Sequence, residues 1–327
     1  MNDPRKLVGI AVLLLAVVLV TALLSRDPAT GAYTFVSAYN LENLLQRIGM
    51  YGVLSLAAAF VIVTGGIDLS LGSLVAVAGC LLPWLCRDCG WSPLLAVPVV
   101  LATGALVGLW HGILVVGLRL QPFVVTLCGL LLYRGIVRAA TGDRTMGFQG
   151  AANGLRELVA ARLPLGPGFG LPVPLLLLAA VALASGWLWN RTVFGRHLFA
   201  LGRNEEAARF AGVRTGALTI AAYVVCSSLA ALGGCLFVLD VGAAEPASFG
   251  SWYELYAIAG AVLGGVALRG GEGQVLAVVF GASLMLVLQN AINLNFRSNQ
   301  LEHAVVGAVI LGGAAADELL RRLRRRR

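Results

Sequence analysis

The chain has 327 residues, 59% of them hydrophobic and only 12% charged, against roughly 45–50% and about 25% in a soluble domain. The apolar excess falls in long uncharged runs, which a soluble core does not accommodate because its helices keep one polar face. The net charge of +8 rests on 23 arginines and Lys6; these lie between the runs and at the C-terminus, with no basic face interleaved with aromatics, which argues against nucleic-acid binding.

Taken in chain order, the pattern predicts about ten membrane-spanning helices, an all-α polytopic membrane protein forming one transmembrane domain over residues 1–327. The spans are approximately 7–25, 47–64, 69–86, 93–116, 122–140, 173–190, 215–239, 254–268, 274–293 and 302–319. The first, Leu7–Ser25, is longer than the 7–15-residue core of a cleaved signal and reads as a retained span, with a cleaved signal as the alternative. The fifth carries Arg134 and Arg138 near its end. The eighth has a short uncharged stretch, Leu255–Leu268, and predicts a tilted or broken helix. The tenth rests partly on parity.

An even number of spans puts both termini on one side. Assigned to the cytoplasm, that side holds 15 basic residues and the other 9, so the positive-inside rule places both ends in the cytoplasm. The tail 320–327, rich in arginine, reads as a stop-transfer anchor to anionic membrane lipid. Cys86 and Cys89 read as two incidental loop thiols, a local disulfide being the alternative.

Leu74-Val75-Ala76-Val77-Ala78-Gly79 and Leu255-Tyr256-Ala257-Ile258-Ala259-Gly260 each follow a Gly-rich, acid-containing break. They are either a chance likeness of apolar helices or the trace of an inverted repeat, which would place a substrate route between the halves.

Three segments carry polar chemistry. In Thr64-Gly65-Gly66-Ile67-Asp68-Leu69-Ser70-Leu71-Gly72-Ser73, two glycines permit a helix break. A carboxylate so enclosed by apolar sequence must be paired or wetted. Asp68 and Ser70 read first as acceptors for the next helix's free amides; contact with a translocated solute by Asp68, Ser70 and Ser73 is the alternative. The second segment is the basic loop 191–214. Asn204 reads as the N-cap of a short helix, Glu205 and Glu206 as its first turn and Gly212 as its C-cap. Gly202 would allow the turn into that helix, whose Ala207, Ala208 and Ala211 are expected exposed. It is either a docking helix or a solvated linker. The third is Gln289, Asn290, Asn293 and Asn295 near the outer end of span nine. These amides are either interhelical packing contacts or partners for sugar hydroxyls. His111 in span four reads as one side of an interhelical bond.

A phosphate-binding loop needs a lysine in Gly-x-x-x-x-Gly-Lys-Ser/Thr, and Lys6 is the only lysine. Neither a His-Glu-x-x-His pair nor a converging acid, base and nucleophile set is present. The chain reads as no enzyme, with no cofactor or metal of its own.

Together these segments resemble the permease subunits of ribose/xylose/arabinose/galactose-type ABC importers, over about residues 45–320. The motif 64–73 looks like the signature after that family's second span. Gln121-Pro122-Phe123-Val124-Val125-Thr126-Leu127 with Arg134-Gly135 looks like its fifth span. The stretch 195–213, followed by 253–259, Val262-Leu263-Gly264-Gly265 and Gly270-Gly271-Glu272-Gly273, completes the pattern. The loop 141–171, containing Thr145–Gly150, departs from the short outer segment of typical members. The resemblance implies a dimeric pore, a periplasmic sugar-binding protein, and a separate ATP-binding cassette subunit that uses ATP and Mg. It makes 195–213 the coupling segment, with Gly195, Arg196, Gly202, Asn204, Glu205, Ala207, Ala208 and Gly212 as coupling residues. The expected function is import of a monosaccharide by alternating access. A nucleoside or autoinducer-like ligand, or an ion-coupled carrier, are the alternatives.

Overall fold

The computed structural model describes residues 4–26, 31–166 and 168–296, with isolated positions 304, 307, 308, 311 and 312. The expected tenth span, 302–319, and the basic tail fall outside these apart from those positions. Among the described residues, seven helices are long and apolar enough to cross a membrane, and two shorter apolar helices accompany them. The chain is thus the all-α polytopic protein its sequence predicts.

Helix α1 is Pro4–Leu24 and packs on α12, Val275–Phe296. Helix α2, Ala38–Val63, is the buried centre of the bundle. It begins nine residues before the expected span. The extra turns are polar, and hydropathy passes over them, but they find partners: Glu42 accepts from the Gly170 amide at 2.8 Å and pairs with Arg162. Helix α3 is Leu71–Arg87, α4 is Pro93–Gly117 and α5 is Pro122–Thr141. Helix α5 runs straight through both of its arginines because each has an acceptor. Arg134 donates to backbone carbonyls, as described below. Arg138 binds Asp143 at 2.7 Å, and that hydrogen bond holds the Asp143 carboxyl below its usual range.

Between α5 and α7 lie a short strand β1 (Met146–Gly147), helix α6 (Asn153–Ala160) and a β-hairpin of β2 (Arg162–Gly166) with β3 (Phe169–Pro172). Helix α7 is Val173–Arg191. Helices α8 (Val193–Arg203) and α9 (Glu205–Phe210) follow, then α10 (Thr215–Val241), strand β4 (Ala243–Ala244), which pairs with β1, and α11 (Tyr253–Leu263). Cys86 is buried, Cys89 is exposed, and neither is in a disulfide.

Helices α2 and α10 run in opposite senses. The start of α2 is tied to the β-hairpin and its Val63 carbonyl accepts from Gly271. Helix α10 starts beside α9 and ends where Arg156 of α6 donates to the Leu239 carbonyl. Each is followed by a break and a short helix, and the packing is reciprocal: α10 lies against α3 and α4, while α2 lies against α11 and α12. This is the arrangement of an inverted repeat. Close approach is supplied by small residues. Gly104, Gly108 and Gly112 form one stripe of α4, and each faces α10, at Ser227, Tyr223 and Ile220 respectively. Glycines at intervals of four let helix backbones meet in lipid, where apolar surface gives little drive to associate.

Candidate functional site

The first break begins where α2 runs out of apolar residues. Gly65, at φ +86°, closes the helix by donating to the Ile62 carbonyl at 2.9 Å, and Gly66 donates to Val61 at 3.2 Å. A side chain at that φ would be strained, so glycine sets the turn. The Ile67 carbonyl accepts from Thr126 Oγ1 of α5 at 3.1 Å.

Asp68 is 2% exposed. Its Oδ1 accepts from the Ser70 amide at 2.8 Å and from Ser70 Oγ at 2.6 Å. The expected capping of the α3 amides by Asp68 and Ser70 is not formed. Ser70 is the N-cap position of α3, its hydroxyl is spent on Asp68, and the helix receives no side-chain cap. Asp68 instead closes a local turn that leads the chain into α3. Ser73 Oγ donates to the Ser70 carbonyl at 2.8 Å. Behind Asp68, its Oδ2 lies 3.8 Å from Cys226 Sγ and 4.0 Å from His111 Nδ1. His111 Nε2 is 2.8 Å from Tyr133 Oη, the expected interhelical bond.

The second break, 242–252, enters from the opposite end. Arg134 of α5 holds it by donating to the Phe249 carbonyl at 2.6 Å and the Pro246 carbonyl at 3.0 Å. Its following helix starts at Tyr253, and the Gly250 carbonyl and the Glu254 carboxylate press against Gly72. The N-terminal ends of α3 and α11 thus meet inside the bundle. At 11 residues, α11 spans about 16 Å, so the eighth span is broken, as expected.

The expected single helix of the 191–214 loop is two. Phe194, Leu198 and Leu201 give α8 a helical apolar stripe, with Leu198 and Leu201 buried. Thr192 Oγ1 accepts from the Gly195 amide, and Gly195 packs on the Leu188 and Trp189 carbonyls, while Arg196 is exposed. Gly202 does not provide the turn. It lies within α8, pressed against the Val63 carbonyl and the Gly271 amide. Asn204 does cap α9, its Oδ1 accepting from the Ala207 amide at 2.9 Å, with Glu205 and Glu206 in the first turn. Gly212 follows at φ +82°. Ala207 and Ala211 are exposed, but Ala208 is buried at 6% exposure. It faces the protein because α9 is laid against the bundle; the large exposed group here is Phe210, at 80%.

The amides of α12 divide. Asn290 and Asn40 of α2 exchange two hydrogen bonds, at 2.9 and 3.2 Å, and so bind helix to helix. Gln289 is buried and accepts from Arg47 at 3.4 Å. Asn293 Oδ1 is buried without a partner. The side chain of Asn295 falls outside the described residues.

A cavity of about 760 Å³ opens at the α8–α9 end. Thr64–Gly66, the end of α4, Gln121 and Pro122, α9 and the start of α10 line it, with Tyr223 among them. Asp68, Ser70 and Ser73 do not line it. Sequence reading missed Tyr223 and the glycine stripe of α4, although the Gly-x-x-x-Gly spacing was visible. Among the described residues no group of His, Cys, Asp and Glu could hold a metal ion.

Antiparallel halves, two interrupted helices meeting in the interior and an amphipathic helical pair at one end define a polytopic transport protein. The chain belongs to the family of branched-chain amino acid transport system permease components, whose model matches residues 40–313. It is 34% identical to the ribose import permease of Escherichia coli (strain K12), over 86% of this chain and 87% of that one. It is 30% identical to the xylose transport system permease of the same organism, over 89% and 87%. It is 35% identical to an inner membrane ABC transporter permease from that strain, over 79% and 77%. No solved structure matches the chain.

Proposed function

We propose that this protein is the membrane-spanning subunit of an ATP-driven importer and moves a monosaccharide inward by alternating access. The observation that carries the reading is the contact of α8 with the first break. Gly202 rests on the carbonyl that ends α2, and Gly271, which donates to that carbonyl, also accepts from Arg203 Nε at 3.3 Å. A push on α8–α9 from outside the membrane would therefore reach the break without an intermediary. The relatives named as ribose and xylose permeases support a sugar as cargo. The absence of a phosphate-binding lysine supports ATP and Mg being used by a separate ATP-binding cassette subunit docked on α8–α9.

In this reading a second permease copy completes the pore, a binding protein delivers sugar at the α6 and β2–β3 end, and both termini are cytoplasmic. The test is uptake by proteoliposomes holding the permease with its ATP-binding cassette subunit, supplied with binding protein loaded from a panel of pentoses, hexoses, nucleosides and autoinducer-like ligands. ATP-dependent uptake of one monosaccharide is expected. Uptake by the lone subunit under an ion gradient would make it a secondary carrier, and uptake of a nucleoside alone would replace the cargo. Alkaline phosphatase fused after Arg327 is expected to be inactive; strong activity would reverse the orientation.

A further inference from the structure

The two oxygens of the buried Asp68 are treated differently. Oδ1 takes both donors of Ser70, and the contact with Ser70 Oγ is 2.6 Å. That is the length of a hydroxyl bound to an ionised carboxylate, about 2.5–2.7 Å, and shorter than the roughly 2.7–2.8 Å of a neutral pair. Oδ2 faces Cys226 Sγ at 3.8 Å, a weak donor, and His111 Nδ1 at 4.0 Å. A carboxylate inside a membrane bundle requires a counter-charge. Among the described residues, His111 is the basic side chain that stands within ion-pair distance of it. Arg134 of α5 is committed to the Pro246 and Phe249 carbonyls and to Glu254 of α11. Glu254 brings a second acid to this region, and Tyr133, Tyr223 and Cys226 bring no positive charge.

His111 sits in a slot shaped for its ring. Gly129 of α5 leaves the room: a Cβ there would come 2.7 Å from His111 Nε2. Tyr133, one turn further along α5, meets Nε2 with its hydroxyl at 2.8 Å, and the two ring centroids are 5.5 Å apart. Tyr223 of α10 stands edge-on at 6.1 Å. The imidazole is fully buried, and Nδ1, the atom nearest Asp68, has no hydrogen-bond partner. Buried polar atoms are normally paired, and an orphan requires an explanation. A tyrosine hydroxyl can donate to a neutral Nε2 or accept from a protonated one. Tyr133 therefore permits either state, and Asp68 decides between them.

We infer that His111 is a positioning residue for the first break: as an imidazolium it forms a buried ion pair with the Asp68 carboxylate, and so ties α4, and through Tyr133 α5, to the segment between α2 and α3. The importance of that segment for transport rests on the permease reading; the pair itself does not. Removing one member of a buried pair strands the other charge, whereas removing both strands nothing.

The charge on His111 is read by nitrogen NMR of the full-length chain carrying nitrogen-15-labelled histidine, in lipid bilayers at neutral pH. With His197→Gln and His303→Gln, His111 is the sole histidine. Both ring nitrogens are expected to be protonated, and Asp68→Asn should convert the ring to neutral imidazole. A neutral ring before that substitution, or an imidazolium indifferent to it, would overturn the pair. Stability supplies a second readout. His111→Asn cannot be charged and should lower the unfolding midpoint by about 5 °C or more, and Asp68→Asn added to it should restore part of the loss. A double variant that melted no higher than His111→Asn would show that the two residues do not act as a charge pair. ATP-dependent uptake by the assembled complex is measured in parallel. Loss of uptake in His111→Asn at equal membrane level is expected, and unchanged uptake would remove the positioning role. An imidazolium in a chain that transports nothing with ATP would keep the pair and remove the permease reading, whereas ATP-driven sugar uptake with a neutral ring would do the reverse.

Discussion

Gly202→Ala tests whether α8 is seated on the break. A methyl group there would fall on the Val63 carbonyl oxygen and the Gly271 amide nitrogen. Both are backbone atoms, joined to each other at 2.8 Å, so neither can swing aside as a flexible side chain could. Helix α8 must withdraw or the Gly271 bond must open. Overpacking costs about 1–3 kcal/mol, and one lost hydrogen bond about 0.5–1.5 kcal/mol. Against this, alanine is favoured over glycine within a helix by about 0.8–1.0 kcal/mol. Overpacking alone leaves a net cost of about 0–2.2 kcal/mol, and with the bond also lost roughly 0.5–3.7 kcal/mol. Gly186 of α7 is the control: it is also within a helix, but a Cβ there meets nothing within 4 Å, so Gly186→Ala should be neutral or stabilising. The assay is the unfolding midpoint of the two purified variants in detergent, followed by ATP-dependent uptake. Gly202→Ala is expected to melt below wild type and to lose uptake. If it were as stable as Gly186→Ala and transported normally, the seat would not exist and the route from α8 to the break would fall with it.

Ala208→Trp would not separate docking from folding, because Ala208 is buried; Phe210, at 80% exposure, does. Phe210→Ala should keep membrane level and melting within about 0.5 kcal/mol of wild type and weaken capture of the ATP-binding cassette subunit by about tenfold or more, so unchanged capture would show that α9 does not dock. Asp68→Ala deletes the acceptor of two hydrogen bonds, each worth about 1.5–3 kcal/mol to a charged group, and should lower folded yield, while Asp68→Asn keeps an acceptor and should spare it. Normal insertion of Asp68→Asn with no uptake would assign the charge itself to transport. Gly108→Leu pushes on the Tyr223 and Val224 backbone, whose atoms would lie within 2.7 Å of the new Cβ, and should prevent α4 from meeting α10. Gly135→Leu, where the space is open, should be tolerated, and equal tolerance of both would refute the stripe.

The bundle was legible because lipid leaves a simple signature. Within the described residues each long apolar run became a helix, and the short uncharged stretch 255–268 became the short helix α11. The polar start of α2 was not legible, since hydropathy reports what a residue costs in lipid and not whether Gly170 and Arg162 stand ready to pair with Glu42. The cap at Asn204 could be read because capping is local. The burial of Ala208 could not, because it depends on how α9 lies against helices far away in sequence. For the same reason Asp68 was found as a residue needing partners, but its neighbours Cys226 and His111 were not. Tyr223 gave no signal at all: one tyrosine in an apolar run looks like packing, and only the tertiary structure shows its hydroxyl unpaired beside a cavity.

The first break is held from several sides: Thr126 Oγ1 of α5 donates to the Ile67 carbonyl, Gly271 of the 264–274 loop donates to the Val63 carbonyl, and Cys226 of α10 lies 3.8 Å from Asp68. The strong bonds of Asp68 go to Ser70, two residues on, and would travel with the segment. At about 1 kcal/mol for each neutral bond, freeing the break from its neighbours costs a few kcal/mol plus whatever apolar contact is not remade. That is the scale on which two packings of one bundle can coexist and a bound ligand can choose between them. Tyr223 stands against Gly66 on one face of this segment and against the cavity on the other. Helix α8, pressed through Gly202 on the Val63 carbonyl, would set the position of the break.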